Sequence, residues 1–288
     1  KRGKKGAPVV EFSSYLSQTE VSKSLELLNG PEYQKVHKLM YDNWNNYASE
    51  NNKVTPPPYV TNSYNGDTDW QDEMLRNGLT QNYMIAVRGG AESSNYSVSY
   101  NRLNEKGIFL GNDFRHDNAR ASLNLTKGIF NLDANIGFKY SDSDQPMYSL
   151  KEMYMLSPLV PVYDDEQPSG YGLTNFDGIP NNRNVMADHN FRDYSNKKYN
   201  TTANFGLTVN FTDWLNFRTG YSYRGEHERT MWHEPDYTAD IRSRREYPYH
   251  EEYSGYWEEQ IFDNVLSFNK KFDKHSLNAM VGSSVTNE

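Results

Sequence analysis

The sequence predicts an all-β fold: an antiparallel transmembrane β-barrel, about eight strands of it, with one short helix before the barrel. Three observations carry this. The first is alternation. From Phe130 the even positions read Phe130, Leu132, Ala134, Ile136, Phe138 and Tyr140, while the odd ones read Asn131, Asp133, Asn135, Gly137, Lys139 and Ser141. Alternate side chains of a strand point to opposite faces, so one face is apolar and the other polar. Strands of soluble sandwiches run about 5–6 residues; this alternation is nearer the ~9–11 that a tilted strand needs to cross a bilayer. The second is rhythm: connections between such segments run short, long, short, long, as in membrane barrels, where every second connection lies on the same side. The third is composition: 23 Tyr and 13 Phe in a chain only 36% hydrophobic suit a barrel, and equally a sugar-contacting surface.

Composition also excludes. With no cysteine there is neither a disulfide framework nor a thiolate metal site. A net charge of -8 argues against a nucleic-acid binder. Mean hydropathy is -0.92 and no long apolar run suits a transmembrane helix, which says nothing against a barrel, whose strands are half polar. The N-terminus, KRGKKGAPVV, lacks the apolar core of a signal peptide, so a mature or partial chain is expected.

In chain order, the basic stretch through Gly6 reads as a solvated tail, and Val9–Tyr15 as a short strand. Leu25–Tyr47 is the helical stretch: Pro31 suits a first turn after Asn29-Gly30, and Val36, Leu39, Met40 and Asn43 recur at helical spacing. His37 within it has no metal-ligating partner one turn away. Pro56-Pro57-Pro58 and the surrounding Asn, Thr and Ser make residues 51–69 an extended linker. Strands follow on Tyr83, Ile85 and Val87, then on Tyr96, Val98 and Tyr100, then on Ala119, Ala121, Leu123 and Leu125, and on the Phe130 segment. A long Pro-, Tyr- and Asn-rich excursion covers 142–198; irregular segments of this length are usually functional. Ala203, Phe205, Leu207, Val209 and Phe211 form the next strand, and Leu215, Phe217, Tyr221 and Tyr223 its partner. A second long loop is expected over 225–256. The last pair carries Phe262, Leu266 and Phe268, then Leu277, Ala279 and Val281.

Several of these stretches resemble one family. KRGKKGAPVVEFSSY resembles the last plug strand of SusC/RagA-like TonB-linked outer-membrane transporters. TDWQDEMLRNGLTQNYMIAVRGGAESSNYSVSYNRLNEKGIFLGNDFRHDNARASLNL resembles the entry to their barrel, and YMLSPLVPVYDDE an early extracellular loop. The resemblance implies a plugged barrel of about 22 strands, with residues 1–20 ending the plug, 21–69 a helix and linker, and 70–288 the first barrel strands. It further implies TonB-driven import of oligosaccharides, or in some members peptides, across a Bacteroidetes outer membrane. Implied partners are a SusD-like surface lipoprotein, TonB through an N-terminal region outside this chain, the rest of the barrel, outer-membrane lipid, and a dimer of transporter–lipoprotein pairs. No cofactor is implied.

No catalytic motif is present, neither Gly-x-Ser-x-Gly, nor a phosphate loop, nor His-Glu-x-x-His, so the expectation is a non-enzyme. Asp164-Asp165-Glu166 and the acids of Asn65–Asp69 offer hard oxygen ligands without the spaced pattern of a calcium loop; solvated turns are the simpler reading. His227 and His233 flank Trp232 at wide spacing and read as surface histidines. The paired acids Glu251-Glu252 and Glu258-Glu259 lack the fixed carboxyl separation of a glycosidase. No metal site is expected.

Aromatics divide by position. Phe130, Leu132, Ile136, Phe138, Tyr140, Phe205, Leu207, Val209 and Phe211 are expected to face lipid, as is Tyr221. Tyr148, Tyr154, Tyr163, Tyr171, Trp232, Tyr237 and Trp257 fall in the long loops. There they would contact a ligand or a lid protein, or simply pack the loops. Two other architectures stay open from the residues alone: a self-contained eight-stranded outer-membrane barrel of structural or adhesive type, and a secreted carbohydrate-binding β-protein.

Overall fold

The computed structural model describes residues 6–180, 183–239 and 244–288; the basic stretch before Gly6 lies outside them. Nine strands form one antiparallel sheet. Eleven strands occur in chain order: β1 (Gly6–Thr19), β2 (Gly78–Gly90), β3 (Ser94–Lys106), β4 (Asp113–Lys127), β5 (Phe130–Asp144), β6 (Asp193–Thr212), β7 (Leu215–Glu234), β8 (Tyr237–Thr238), β9 (Arg244–Arg245), β10 (Tyr249–Phe272) and β11 (His275–Asn287). The sheet order is β1-β2-β3-β4-β5-β6-β7-β10-β11, each strand beside its neighbour in sequence, with the two-residue β8 and β9 as a separate pair. This is an up-and-down barrel wall. β1 and β11 occupy opposite edges of the sheet order, so these nine strands do not close on themselves. Among the described residues no second sheet packs on either face of the nine strands.

Register lines up the apolar positions across the wall. Phe138 pairs with Ala119 on one side and Thr201 on the other, Ile136 with Ala121 and Ala203, Leu132 with Leu125 and Leu207, and Phe130 with Val209. The row continues through Val98 and Val87 to Val10, and from Phe205 through Tyr221 to Phe262. A one-residue slip would put every such side chain on the polar face. This face is uncovered: Ile136 is 50% exposed and Phe12 68%. The opposite face carries Asn131, Asp133, Asn135, Ser122, Asn204 and Arg218.

Short connections, at 91–93, 128–129, 213–214 and 273–274, all lie at one end of the sheet; residues 20–77, 107–112, 145–192 and 235–248 connect strands at the other. Three features differ from the sequence reading. The stretch assigned to the end of a plug is a full sheet strand, β1, paired with β2 from Val9 to Thr19, so nine strands replace about eight. Pro8, which cannot donate to a ladder, sits where the register shifts beside Gly6. The helix lies in the connection between β1 and β2, ahead of the other eight strands of the sheet. The 225–256 loop shrinks to 235–248, because β7 and β10 continue as ladders of 20 and 24 residues. Their upper halves lack apolar alternation, and cross-strand polar pairs hold them instead: Arg229 to Glu252 at 2.8 Å and His227 to Ser254 at 2.9 Å. The 142–198 loop is likewise trimmed to 145–192 by β5 and β6.

Helix α1 (Gly30–Tyr47) begins five residues later than the apolar spacing suggested, since Asn29 and Glu32 form a capping box and Pro31 occupies the first turn. Short helices α2 (Pro58–Thr61), α3 (Trp70–Met74), α4 (Leu150–Met155) and α5 (Val185–Phe191) complete the connections.

Candidate ligand-facing mouth

The hydrophobic core of this chain is not in the sheet. It lies at the long-connection end, where residues 20–77 fold onto residues 145–192. Trp70, Met74, Tyr59 and Val60 from the first connection bury against Met153, Leu159, Val160, Val185 and Met186 from the second. The Pro/Asn-rich linker expected at 51–69 is thus a packed segment: Pro58 starts α2, whose Tyr59 and Val60 are buried. The apolar pair, not the prolines, decides its fate. Trp70 donates its indole N–H to the Ser157 carbonyl at 3.2 Å. Gln34 donates to the carbonyls of Tyr59 and Asn62, both at 2.8 Å.

Backbones approach closely at one point. A Cβ on Gly30 would lie 2.0 Å from the Gly66 carbonyl oxygen, and one on Gly66 2.3 Å from that of Leu159. Two Asn-Gly dipeptides, at 29–30 and 65–66, therefore let the start of α1, the second connection and the irregular 65–69 segment stack directly. Asp67 accepts from the Gly30 amide at 2.8 Å, and Asp69 caps α3 by accepting from Gln71 and Asp72. Asp164 accepts from the Glu166 amide at 3.0 Å within its own turn. These acids thus serve as local backbone caps. Among the described residues, no cluster of three or more His, Cys, Asp or Glu side chains is placed to hold a metal.

The seven loop aromatics separate into four situations. Tyr148 and Tyr237 are buried, at 8% and 7% exposure. The Tyr148 hydroxyl donates to the carbonyls of Leu110 and Met74 at 3.2 and 3.3 Å, and burial pushes its pKa up to about 12. Tyr154 packs against the cap core. Tyr163 and Tyr171 begin an aromatic row: their rings lie 5.5 Å apart, Tyr171 meets Phe191 at 5.4 Å, and Phe191 stacks on Tyr237 at 4.5 Å. Tyr163 is its exposed end, at 57%. Trp232 and Trp257 belong to no loop. They sit on β7 and β10, opposite Glu251 and Glu226, on the polar face near the long-connection end. Trp232 donates to Glu234 at 2.9 Å and meets the Tyr249 ring edge-on at 5.9 Å.

A buried charge network, which the sequence reading did not single out, ties the second connection to the third. Arg192, at the C-terminus of α5, lies 3.3 Å from Glu234 and 3.6 Å from Asp188, and donates to the Tyr237 hydroxyl at 3.1 Å. Asp188 is 1% and Glu234 4% exposed. Arg245 approaches Glu234 at 3.2 Å from the far side and covers the Tyr249 ring at 4.5 Å. Burial opposes the charge on Arg192, but Asp188, Tyr237 and Glu234 together raise its pKa. Asn184, fully buried, donates to the carbonyls of Val162 and Gly172 and accepts from the Met186 and Ala187 amides, so it both caps α5 and pins it. Nothing in residue spacing marks these side chains, because their partners lie tens of residues away.

The cap also holds two partly buried histidines. His37 stacks on Tyr33 at 4.1 Å, with its Nδ1 2.6 Å from the Tyr59 hydroxyl. His189 sits beside Gly111 and Tyr148. Burial holds both imidazoles below the ordinary 6.5, and Arg76 pushes His189 further down. With folded values below unfolded ones, the unfolded cap binds more protons near and below pH 6.5, so stability falls as pH falls through that window. Protease cleavage within 145–192 of the full-length protein should accelerate between pH 7.5 and 5, and His37→Gln with His189→Gln should flatten that profile.

No family model matches the chain. Its sequence is 21% identical over 297 residues to TonB-dependent receptor P3 of Formosa agariphila, an alignment covering 98% of this chain and 27% of that protein. It is 26% identical over 175 residues to TonB-dependent receptor SusC of Bacteroides thetaiotaomicron, covering 58% of this chain and 16% of SusC. Among solved structures it superposes on the RagAB peptide transporter with a TM-score of 0.76 at 14% identity, covering 99% of this chain and 35% of that one. The "open-open" state of the RagAB peptide importer gives 0.73 at 13% identity, over 99% and 36%. The chain thus spans about a third or less of each relative's length.

Proposed function

We propose that this chain, SusC/RagA-like in sequence and fold, supplies nine barrel strands and part of the external cap of a TonB-dependent importer in the outer membrane. The observation that carries this reading is the sheet itself: an up-and-down wall with an uncovered apolar face, short turns at one end, folded connections at the other, and the RagAB backbone over 99% of its length. Its two free edges and apolar face demand further strands and lipid, since a bilayer tolerates no open sheet edge. The apolar row through Phe130, Leu132, Ile136, Phe138, Tyr140, Phe205, Leu207, Val209 and Phe211 then faces lipid, and the polar face lines the lumen. The cap lies outside the cell, beneath a SusD-like surface lipoprotein. TonB engages a region outside this chain, and transporter–lipoprotein pairs dimerise.

The proposed cargo is an oligosaccharide. On the lumenal side of the strand tops, Trp232, Tyr253 and Trp257 offer flat rings, and Asn200 offers an amide. Rings stack on sugar C–H faces while amides meet hydroxyls. A peptide is the second reading, favoured by the resemblance to the RagAB peptide transporter. In a strain lacking the full-length gene, restoring it should restore TonB-dependent growth on an oligosaccharide as carbon source; restored growth on peptides alone would select the second reading, and neither would reject import. Trp257→Ala should weaken ligand binding about tenfold, the effect of losing ~1.4 kcal/mol, read by calorimetry on the full-length transporter. Unchanged affinity would remove Trp257 from the path.

A further inference from the structure

The polar face has two places where a glycine stands between larger side chains. At Gly206 of β6 the gap is filled. Arg218 of β7 reaches across it to Asp133 of β5 with two parallel contacts, 2.9 and 3.2 Å. A Cβ on Gly206 would lie 2.5 Å from the Arg218 guanidinium and 2.6 Å from the Asp133 carboxylate. At Gly137 of β5 the arrangement is similar but incomplete. Gly137 pairs with Arg120 of β4 and Thr202 of β6. The Thr202 hydroxyl lies 2.7 Å from where a Cβ on Gly137 would stand, and beside it a cavity of about 370 Å³ is lined by Arg120, Lys139, Lys198, Asn118, Asn200 and Glu226. Lys198 pairs with Glu228 at 3.0 Å. No ion pair among the described residues joins Arg120 or Lys139 to a carboxylate, that of Glu226 included, although the chain carries a net charge of -8.

A guanidinium presents a planar fork that fits a carboxylate with two bonds, and Lys adds a point charge beside it. The wall already displays that fit at Gly206. We propose that Arg120 and Lys139, around the Gly137 gap, form a carboxylate subsite on the lumenal wall, which takes an acidic group of the imported ligand: the carboxylate of a uronic-acid sugar or of an acidic peptide. Asn118 and Asn200 flank it with amides suited to hydroxyls or peptide groups. This rests on the importer reading, which turns the polar face inward.

The test uses the full-length transporter in detergent and two pairs of probes. One pair is a galacturonate oligomer and its neutral methyl ester; the other is a glutamate-containing tripeptide and its glutamine counterpart. The wild type should bind the acidic member of one pair at least tenfold more tightly than the neutral one. Arg120→Gln combined with Lys139→Gln should erase that preference, and raised salt should weaken it. The pair that responds identifies the source of the carboxylate. The subsite is overturned if the wild type shows no acid preference in either pair, or if the double variant keeps it. It is also overturned if the double variant loses thermal stability without losing the preference, which would mean that the carboxylate belongs to the protein itself. Failure of the importer reading has its own readout: no TonB-dependent uptake of any of the four probes by cells carrying the wild-type gene.

Discussion

Gly66→Val unseats the folded cap at the long-connection end while leaving the strands paired. A Cβ at this position would lie 2.3 Å from the Leu159 carbonyl oxygen and 2.8 Å from the Leu159 Cα. These are backbone atoms, so no rotamer change relieves the overlap, and the two connections must part. Overpacking of this kind costs about 1–3 kcal/mol, and more when backbone has to move. The expected loss is at the upper end, because the contact joins the two halves of the only sizeable apolar core among the described residues. Hydrogen exchange on the full-length protein in detergent would show it: amides across 145–192 lose protection, while those of Phe130–Asp144 keep theirs. Gly220→Ala is the control. Its nearest neighbour would be the Phe205 carbonyl oxygen at 3.7 Å, ordinary contact distance, and its exchange pattern should match the wild type. Undisturbed protection over 145–192 in Gly66→Val would mean that the cap is not held at this contact.

Arg192→Met carries the second large effect. It removes the cation that Asp188 and Glu234 share at 3.6 and 3.3 Å, and it leaves both carboxylates buried. Breaking a buried pair from one side typically costs about 3–5 kcal/mol, since the surviving charge stays desolvated. Arg183 and Arg245 stand near the two acids, which places the expected loss near the lower figure. The consequence is local: α5 and the 235–248 connection should exchange faster, and the aromatic row from Tyr163 to Tyr237 should lose its inner anchor. Adding Glu234→Gln should recover part of the loss. A double-mutant cycle measures that recovery, and strictly additive losses would show that the two side chains do not interact.

The strands were legible in the sequence for a physical reason. A wall that is apolar on one side and polar on the other must alternate with period two, and Phe130–Ser141 does so without interruption. The rhythm of connections followed from the same strands. Legibility failed where alternation fails. The upper halves of β7 and β10 read as loop because Arg229, Glu252, His227 and Ser254 hold their ladder through polar pairs, which leave no hydropathy pattern. Trp232 and Trp257 were placed in a loop for the same reason and stand on strands.

Sequence by itself therefore determined most of the wall: the alternating strands, their two faces and the rhythm of their connections, and the family it resembles, since each depends on residues close together in the chain. Only the tertiary structure decided the mouth. The Gly30–Gly66–Leu159 stack, the Arg192 network and the open Gly137 gap each join residues from distant segments, and contacts of that kind leave no local period to read.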